Sequence, residues 1–200
     1  KTIGTIHNGE YQGQMKWEMA NYFPWFDGEN AGLLDWNGYI NPLTAMIKCC
    51  HAFNAVSGGY MDELFENFGG LEHLVRQEHA KAYGIINGID TEIWDPAVDP
   101  FLAFNFNNND ADTGKRKNKI DLCEEYNLNP DLPLFSFIGR FAGEKGADFL
   151  PEIVEKSIQE TYGALNIIIL GSGDKNIENQ LAGLSNTYAN FAVDLGYKEY

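Results

Sequence analysis

A parallel α/β fold is predicted by three features of the sequence. Residues 134–138 (L-F-S-F-I) form an apolar run of strand length, which Gly139 breaks. Residues 150–161 then place Leu150, Ile153, Val154, Ser157, Ile158 and Thr161 at the spacing of an amphipathic helix. Residues 165–170 (L-N-I-I-I-L) are almost continuously apolar, which suits a strand buried on both faces of a parallel sheet. A Gly-Ser-Gly-Asp turn at 171–174, a helix over 177–188 and a strand over 191–195 repeat the pattern. Strand, turn and helix alternating in this way make a parallel α/β unit.

From the start of the chain, residues 2–6 are β-branched and glycine-spaced, hence a strand, and His7-Asn8-Gly9 follows at its carboxyl end. Residues 11–41 are irregular and dense in rings: Tyr11, Trp17, Tyr22, Phe23, Trp25, Phe26, Trp36 and Tyr39. Such density serves either as a wall for a sugar or a protein, or as a loop that packs its own aromatics. Asn41-Pro42 opens a helix in which Leu43, Met46, Ile47 and Cys50 recur at helical spacing. A strand is expected over 53–57, a glycine turn at Gly58-Gly59, and a short helix over 60–68 that Gly69 and Gly70 end. Residues 71–83 read as partly helical. His73 and His79 there are six apart, which is not the spacing of a helical metal pair, so both read as surface residues.

Residues 84–86 form a short strand ending in the polar turn Asn87-Gly88-Ile89-Asp90. The Asn- and Asp-rich stretch 104–113 reads as a linker or exposed loop. Thr113 is expected to cap a helix that turns Ile120, Cys123 and Tyr126 inward and ends at Asn129-Pro130. Asp148 is the expected N-cap of the helix after the 139–146 turn, with Pro151 tolerated in its first turn.

Two places coincide with the carboxyl ends of strands, where open α/β sheets bind ligands. Arg140 and Lys145 stand five residues apart on a glycine-rich turn that leads into a helix. They read as an anion site, or as two solvated cations of which one pairs with Glu144. His7 reads as a functional group, or as a ring bonded to neighbouring backbone.

At 200 residues, 44% hydrophobic and 22% charged, the composition is globular. A formal net charge of −15 argues against nucleic acid and against an anionic membrane surface as partners. An anionic ligand must therefore be held by local cations against the overall field. Cys49, Cys50 and Cys123 form neither a disulfide framework nor a zinc site, which fits a reducing, cytoplasmic compartment. No apolar run approaches the roughly 20 residues that span a bilayer, and no secretory signal pattern is read at the start. The chain starts at Lys1 inside a strand-like run, so it is expected to be an internal piece of a longer protein.

Four motifs occur in a familiar order: H-N-G-E-Y-Q-G at 7–13, N-G-I-D-T-E-I-W-D-P at 87–96, I-G-R-F-A-G-E-K-G-A-D at 138–148 and I-I-L-G-S-G-D at 168–174. By these the sequence resembles bacterial-type glycogen synthases and starch synthases across nearly its whole length. The G-R…E-K-G turn is shared more widely among two-domain, Rossmann-like glycosyltransferases. The resemblance implies parts of two Rossmann-like domains in a GT-B-type glycosyltransferase architecture, with a sugar-nucleotide site in the cleft. Residues 1–104 would be the second half of the N-terminal domain, 105–131 an interdomain linker and helix, and 132–200 the first half of the nucleotide-sugar-binding domain.

It further implies retaining transfer of glucose from a nucleoside-diphosphate glucose, with ADP-glucose the expected donor, to the non-reducing end of an α-1,4-glucan. No cofactor and no metal ion are implied, because protein cations hold the diphosphate. Matched residue by residue, Arg140 and Lys145 are the diphosphate-binding pair, with Gly139 on the same turn. His7 is the histidine near the transferring glucose, and Asn87 the asparagine of the other turn. The family pattern after His-Asn is hydrophobic-Ala-Tyr-Gln-Gly, whereas Gly9-Glu10-Tyr11 stands here. The family's Lys-x-Gly-Gly loop and later glutamate motif match nothing in residues 1–200, so these residues alone are expected to be inactive. The alternatives are another two-domain glycosyltransferase or a non-catalytic glucan-binding relative. The compartment implied is the cytoplasm, or a plastid for a plant-type source.

Overall fold

The computed structural model describes residues 1–196; the last four residues of the 132–200 stretch lie outside the described residues. The chain divides into two compact units, residues 1–89 and the residues from Asp90 onward.

Unit 1 carries a three-stranded parallel sheet of β1 (Ile3–Ile6), β4 (Ala52–Ala55) and β5 (Ala82–Gly84), in the order β1-β4-β5. Between β1 and β4 run the one-turn helix α1 (Ala31–Leu34), a hairpin of β2 (Asp35–Trp36) and β3 (Tyr39–Ile40), and α2 (Pro42–Cys49). The hairpin turns on Asn37 (φ 54°) and Gly38 (φ 80°), the positive-φ pair that matches strand twist in a two-residue loop. That Asn-Gly signal lies inside the stretch expected to be irregular. The α2 start is as expected: buried Asn41 accepts the N–H groups of Leu43 and Thr44, and Pro42 needs no donor in the first turn.

Strand β4 ends two residues before the expected 57, because Ser57 leaves the sheet to cap α3 (Gly58–Glu66) by accepting the Tyr60 N–H at 2.9 Å. Gly58 and Gly59 are thus the first turn of that helix rather than a free turn. Helix α4 (Glu72–Gln77) follows, with His73 and His79 exposed. Strand β5 lies two residues earlier than expected, and Ile85 and Ile86 beyond it are exposed. The core gathers Ile6, Ile47, Phe53, Leu64, Phe68 and Val75 around the sheet. Each fully buried side chain of this size contributes roughly 1.5–3 kcal/mol.

In unit 2, α5 (Ala111–Glu125) precedes a parallel sheet of β6 (Leu134–Ile138), β7 (Asn166–Gly171) and β8 (Phe191–Leu195), in the order β6-β7-β8. Helices α6 (Leu150–Glu160) and α7 (Lys175–Thr187) connect the strands. Central β7 is sandwiched as its apolar run requires. Ile167 and Ile169 meet Leu150, Val154, Ile158 and Leu181 in one cluster, while Ile168 meets Cys123 and Leu128 in another.

Three local expectations are corrected in this unit. Helix α5 starts at Ala111, not after Thr113: the Gly114 N–H already bonds the Asp110 carbonyl at 2.9 Å, so the cap position is Asp110 and Thr113 lies within the first turn. Asp148 caps nothing, because a single 3-10 turn over Ala147–Phe149 is inserted after Gly146 (φ 66°), and α6 begins at Leu150 with Pro151 in its first turn. Ile153 is half exposed rather than part of the buried face of α6. Among the described residues, no helix is long and apolar enough to cross a membrane.

Candidate functional site

The 139–146 turn of unit 2 leaves the carboxyl end of β6 and is held almost entirely by backbone. Gly139 N–H donates to the Leu170 carbonyl (3.1 Å) and Phe141 N–H to the Ser172 carbonyl (2.9 Å). The Phe141 carbonyl in turn accepts the Asp174 N–H (3.0 Å). Lys145 N–H bonds the Ala142 carbonyl and Gly146 N–H the Gly143 carbonyl, closing a 3-10 turn over Gly143–Lys145. Phe141 and Ala147 are buried and anchor the turn, while Arg140 and Lys145 are exposed. Arg140 Nη2 meets Glu144 Oε1 at 3.0 Å with the arginine side chain 68% exposed. Lys145 has no ion pair among the described residues. The turn therefore offers two cations from a fixed backbone, one of them loosely engaged by a neighbouring carboxylate.

In unit 1, His7 is exposed immediately after β1. The loop that carries it is held by side chains reaching in from elsewhere. Gly9 N–H donates to the Tyr60 hydroxyl (2.8 Å). Gln12 Nε2 donates to the Phe68 carbonyl (3.0 Å), and Gln12 Oε1 accepts from Nδ2 of the buried Asn41 (2.8 Å). Gly9 is itself buried against Phe68 and Leu64; a Cβ there would lie 2.6 Å from Phe68 Cε2. The departure from the family pattern at this position is thus filled by the Phe68 ring. The turn at 68–70 is fixed in its own right by Glu72 Oε1, which accepts the N–H groups of Phe68 (2.6 Å) and Gly70 (3.1 Å). The Phe68 N–H, foremost, holds that carboxyl below its ordinary range.

Asn87 is exposed three residues beyond β5. The motif that follows it winds into a turn in which Asp90 Oδ1 accepts the N–H groups of Glu92 and Ile93. Gly139, Arg140 and Lys145 are thus brought together on one turn of unit 2. His7 and Asn87 stand at the same end of the unit 1 sheet, on strands separated by β4.

In the aromatic segment, both readings find residues. The Phe26 ring packs against both Trp17 and Phe23, with centroids 6.3 Å apart in each pair, and Trp17 Nε1 donates to Asp35 Oδ2. Tyr11, Tyr22 and Trp25 face solvent. The sequence places Gln12 in the 7–13 motif and Phe68 on a helix, but the role of Tyr60, Gln12 and Phe68 in shaping the His7 loop is not legible there, because their partners lie 51 and 56 positions away.

Residues 1–77 match the family model described as "Starch synthase catalytic domain". Over all of its 200 residues the chain is 45% identical to the glycogen synthase of Flavobacterium johnsoniae, of which it covers 42%. Over 98% of its length it is 36% identical to the glycogen synthase of Streptococcus gordonii, of which it covers 43%. Across its length the chain is thus similar to glycogen synthases and starch synthases. Its structure also matches the catalytic domain of starch synthase IV from Arabidopsis thaliana, a structure bound to ADP and acarbose. The TM-score is 0.85 at 27% identity, over 98% of this chain and 42% of that one. The expected α/β, Rossmann-like class with parallel sheets is the class of this family's catalytic domain. The chain spans about two fifths of the length of the curated relatives it matches.

Proposed function

We propose that this chain carries the diphosphate-binding turn and the sugar-side histidine of a glycogen or starch synthase. The reaction is retaining transfer of glucose from a nucleoside-diphosphate glucose, foremost ADP-glucose, to the non-reducing end of an α-1,4-glucan. The observation that carries this reading is the 139–146 turn: Arg140 and Lys145 project from a backbone-fixed turn at a strand's carboxyl end, in a family with a solved neighbour that holds ADP and acarbose.

The chemistry follows from charge. As the glucosyl bond breaks, the departing diphosphate gains negative charge, and cations already in place stabilise that state more than the ground state. A fixed turn also orients the donor. The exposed pair with Glu144 is no obstacle, since such pairs contribute about 0.3–0.5 kcal/mol, and a diphosphate offers Arg140 a stronger, charge-assisted partner. Asn87 is assigned to the donor site with Gly139, and His7 to the sugar. No metal or organic cofactor enters this reading; the cations take the diphosphate. The net charge of −15 speaks against nucleic acid as a partner and leaves a neutral glucan unaffected, while the anionic donor is held by the local cations against that charge. Three free cysteines support a reducing, cytoplasmic compartment.

The test uses the full-length protein with Arg140→Ala, Lys145→Ala and the double variant. Each single change is expected to lower kcat on the order of 10²–10³-fold with the melting temperature unchanged. The double should fall short of the sum, because both cations act on one group. Lys145→Arg should rescue only in part, because a planar guanidinium replaces a compact ammonium. Two folded single variants within a few-fold of wild type would end the assignment.

A further inference from the structure

Behind the 139–146 turn sits a carboxylate that nothing above uses. Glu178, the fourth residue of α7, is 7% exposed. Its Oε1 accepts the Gly173 N–H at 2.9 Å, and its Oε2 takes Lys175 Nζ at 2.6 Å. The helix does not need this group as a cap, because Asp174 already accepts the N–H groups of Asn176 and Ile177. Nor does the ion pair explain a buried carboxylate, since the Lys175 side chain is 83% exposed and such pairs contribute little. What Glu178 holds is a residue outside the helix.

Gly173 is pressed against the turn that carries Arg140. A Cβ at Gly173 would lie 2.5 Å from the Phe141 carbonyl oxygen, and its φ of 155° is one that side-chain-bearing residues rarely adopt. Residues on both sides of Gly173 bond Phe141: the Ser172 carbonyl accepts its N–H and the Asp174 N–H donates to its carbonyl. Phe141 is the residue next to Arg140. A contiguous path of hydrogen bonds and close packing thus runs from the Glu178 carboxylate through Gly173 to Phe141.

We propose that Glu178 is a positioning residue for the donor's diphosphate: by fixing Gly173 it fixes the 171–174 turn, and through Phe141 the direction in which Arg140 leaves the chain. This rests on the reading of Arg140 and Lys145 as the diphosphate clamp. Its carboxyl is held below the ordinary range by the Lys175 ammonium and then by the Gly173 N–H, so it is ionised and a strong acceptor.

The experiment measures inhibition of the full-length synthase by ADP, together with KM for glycogen, in Glu178→Ala, Glu178→Gln, Lys175→Ala and Arg140→Ala. Glu178→Ala should raise the ADP inhibition constant about tenfold, the scale of one hydrogen bond to a charged group, and leave KM for glycogen unchanged. Glu178→Gln keeps an acceptor oxygen of the same reach and should stay within about twofold of wild type, as should Lys175→Ala. If Glu178→Ala does not fold, Glu178→Asp, which withdraws the carboxylate by one methylene, is judged by the same rise. An unchanged ADP constant in that variant, or an equal loss in Glu178→Gln or Lys175→Ala, overturns the proposal. Arg140→Ala separates the two ideas. If it leaves ADP inhibition unchanged, the clamp reading has failed; if it weakens inhibition and Glu178→Ala does not, only the positioning role has failed.

Discussion

The 139–146 turn of unit 2 and the 7–13 loop of unit 1 both leave the carboxyl end of a parallel strand, and they are held by opposite means. In unit 2 the bonds run backbone to backbone, from Gly139 to Leu170 and between Phe141 and the 172–174 turn. In unit 1 the loop depends on side chains: the Tyr60 hydroxyl on Gly9, Gln12 between Phe68 and Asn41, and the Phe68 ring where a side chain at position 9 would be. A backbone-laced turn keeps its shape when its exposed side chains are changed, so Arg140 and Lys145 can be removed and the loss read as chemistry. A loop held by distant side chains mixes shape with function, and its variants need a folding control.

The largest effect in unit 1 is expected at His7 itself, which takes part in none of the hydrogen bonds from Tyr60, Gln12 and Asn41 that hold its loop. In the full-length enzyme His7→Ala should lower kcat on the order of 10²-fold, as for other groups that act in the transition state. KM for the donor should move much less. A raised KM at constant kcat would reduce His7 to a ground-state contact and leave unit 2 with all the charge stabilisation.

Gly9 sharpens the contrast from the other side. Gly9→Ala forces a Cβ against Phe68 Cε2 at 2.6 Å and Leu64 Cδ2 at 3.1 Å, and overpacking of this kind costs about 1–3 kcal/mol. Thermal melting should show that loss, and Phe68→Leu in the same chain should recover part of it by vacating the space. Recovery would identify Phe68 as the counterpart of Gly9. A melting temperature that Gly9→Ala leaves untouched would mean the loop is not held by this packing.

Much of this was legible in the sequence where the signal is local. The apolar runs of β6 and β7, the periodicity of α6 and the Asn41-Pro42 helix start each use only neighbouring residues. The same holds for Arg140 and Lys145, whose turn is one short motif. The misses have a common cause. Ser57 reads as strand until it is seen to cap α3, and Asp148 reads as a cap until Gly146 inserts an extra turn. Tyr60 and Glu178 have roles only through partners that the fold brings to them. Glu178 also stands one position beyond the third helical residue, where a capping glutamate is sought. The Asn37-Gly38 hairpin is the exception: its signal was present and was hidden by the surrounding aromatics.

The smallest expected effect tests whether the cations of the unit 2 turn stand ready or are held in reserve. Among the described residues Glu144 is the one carboxylate paired with Arg140, at 3.0 Å, and it sits four residues along on the same turn. An exposed pair at this spacing is worth about 0.3–0.5 kcal/mol, which corresponds to about a twofold change in an equilibrium constant. A diphosphate arriving at Arg140 must displace that carboxylate and also meets its charge. Glu144→Gln should therefore lower the ADP inhibition constant about twofold, and the gain should shrink as salt rises, because the groups are exposed and screened. The melting temperature should not move, since the turn is held by its backbone. A higher inhibition constant would mean the opposite, that Glu144 orients Arg140 for the diphosphate, and the unit 2 turn would then depend on side chains as the His7 loop does.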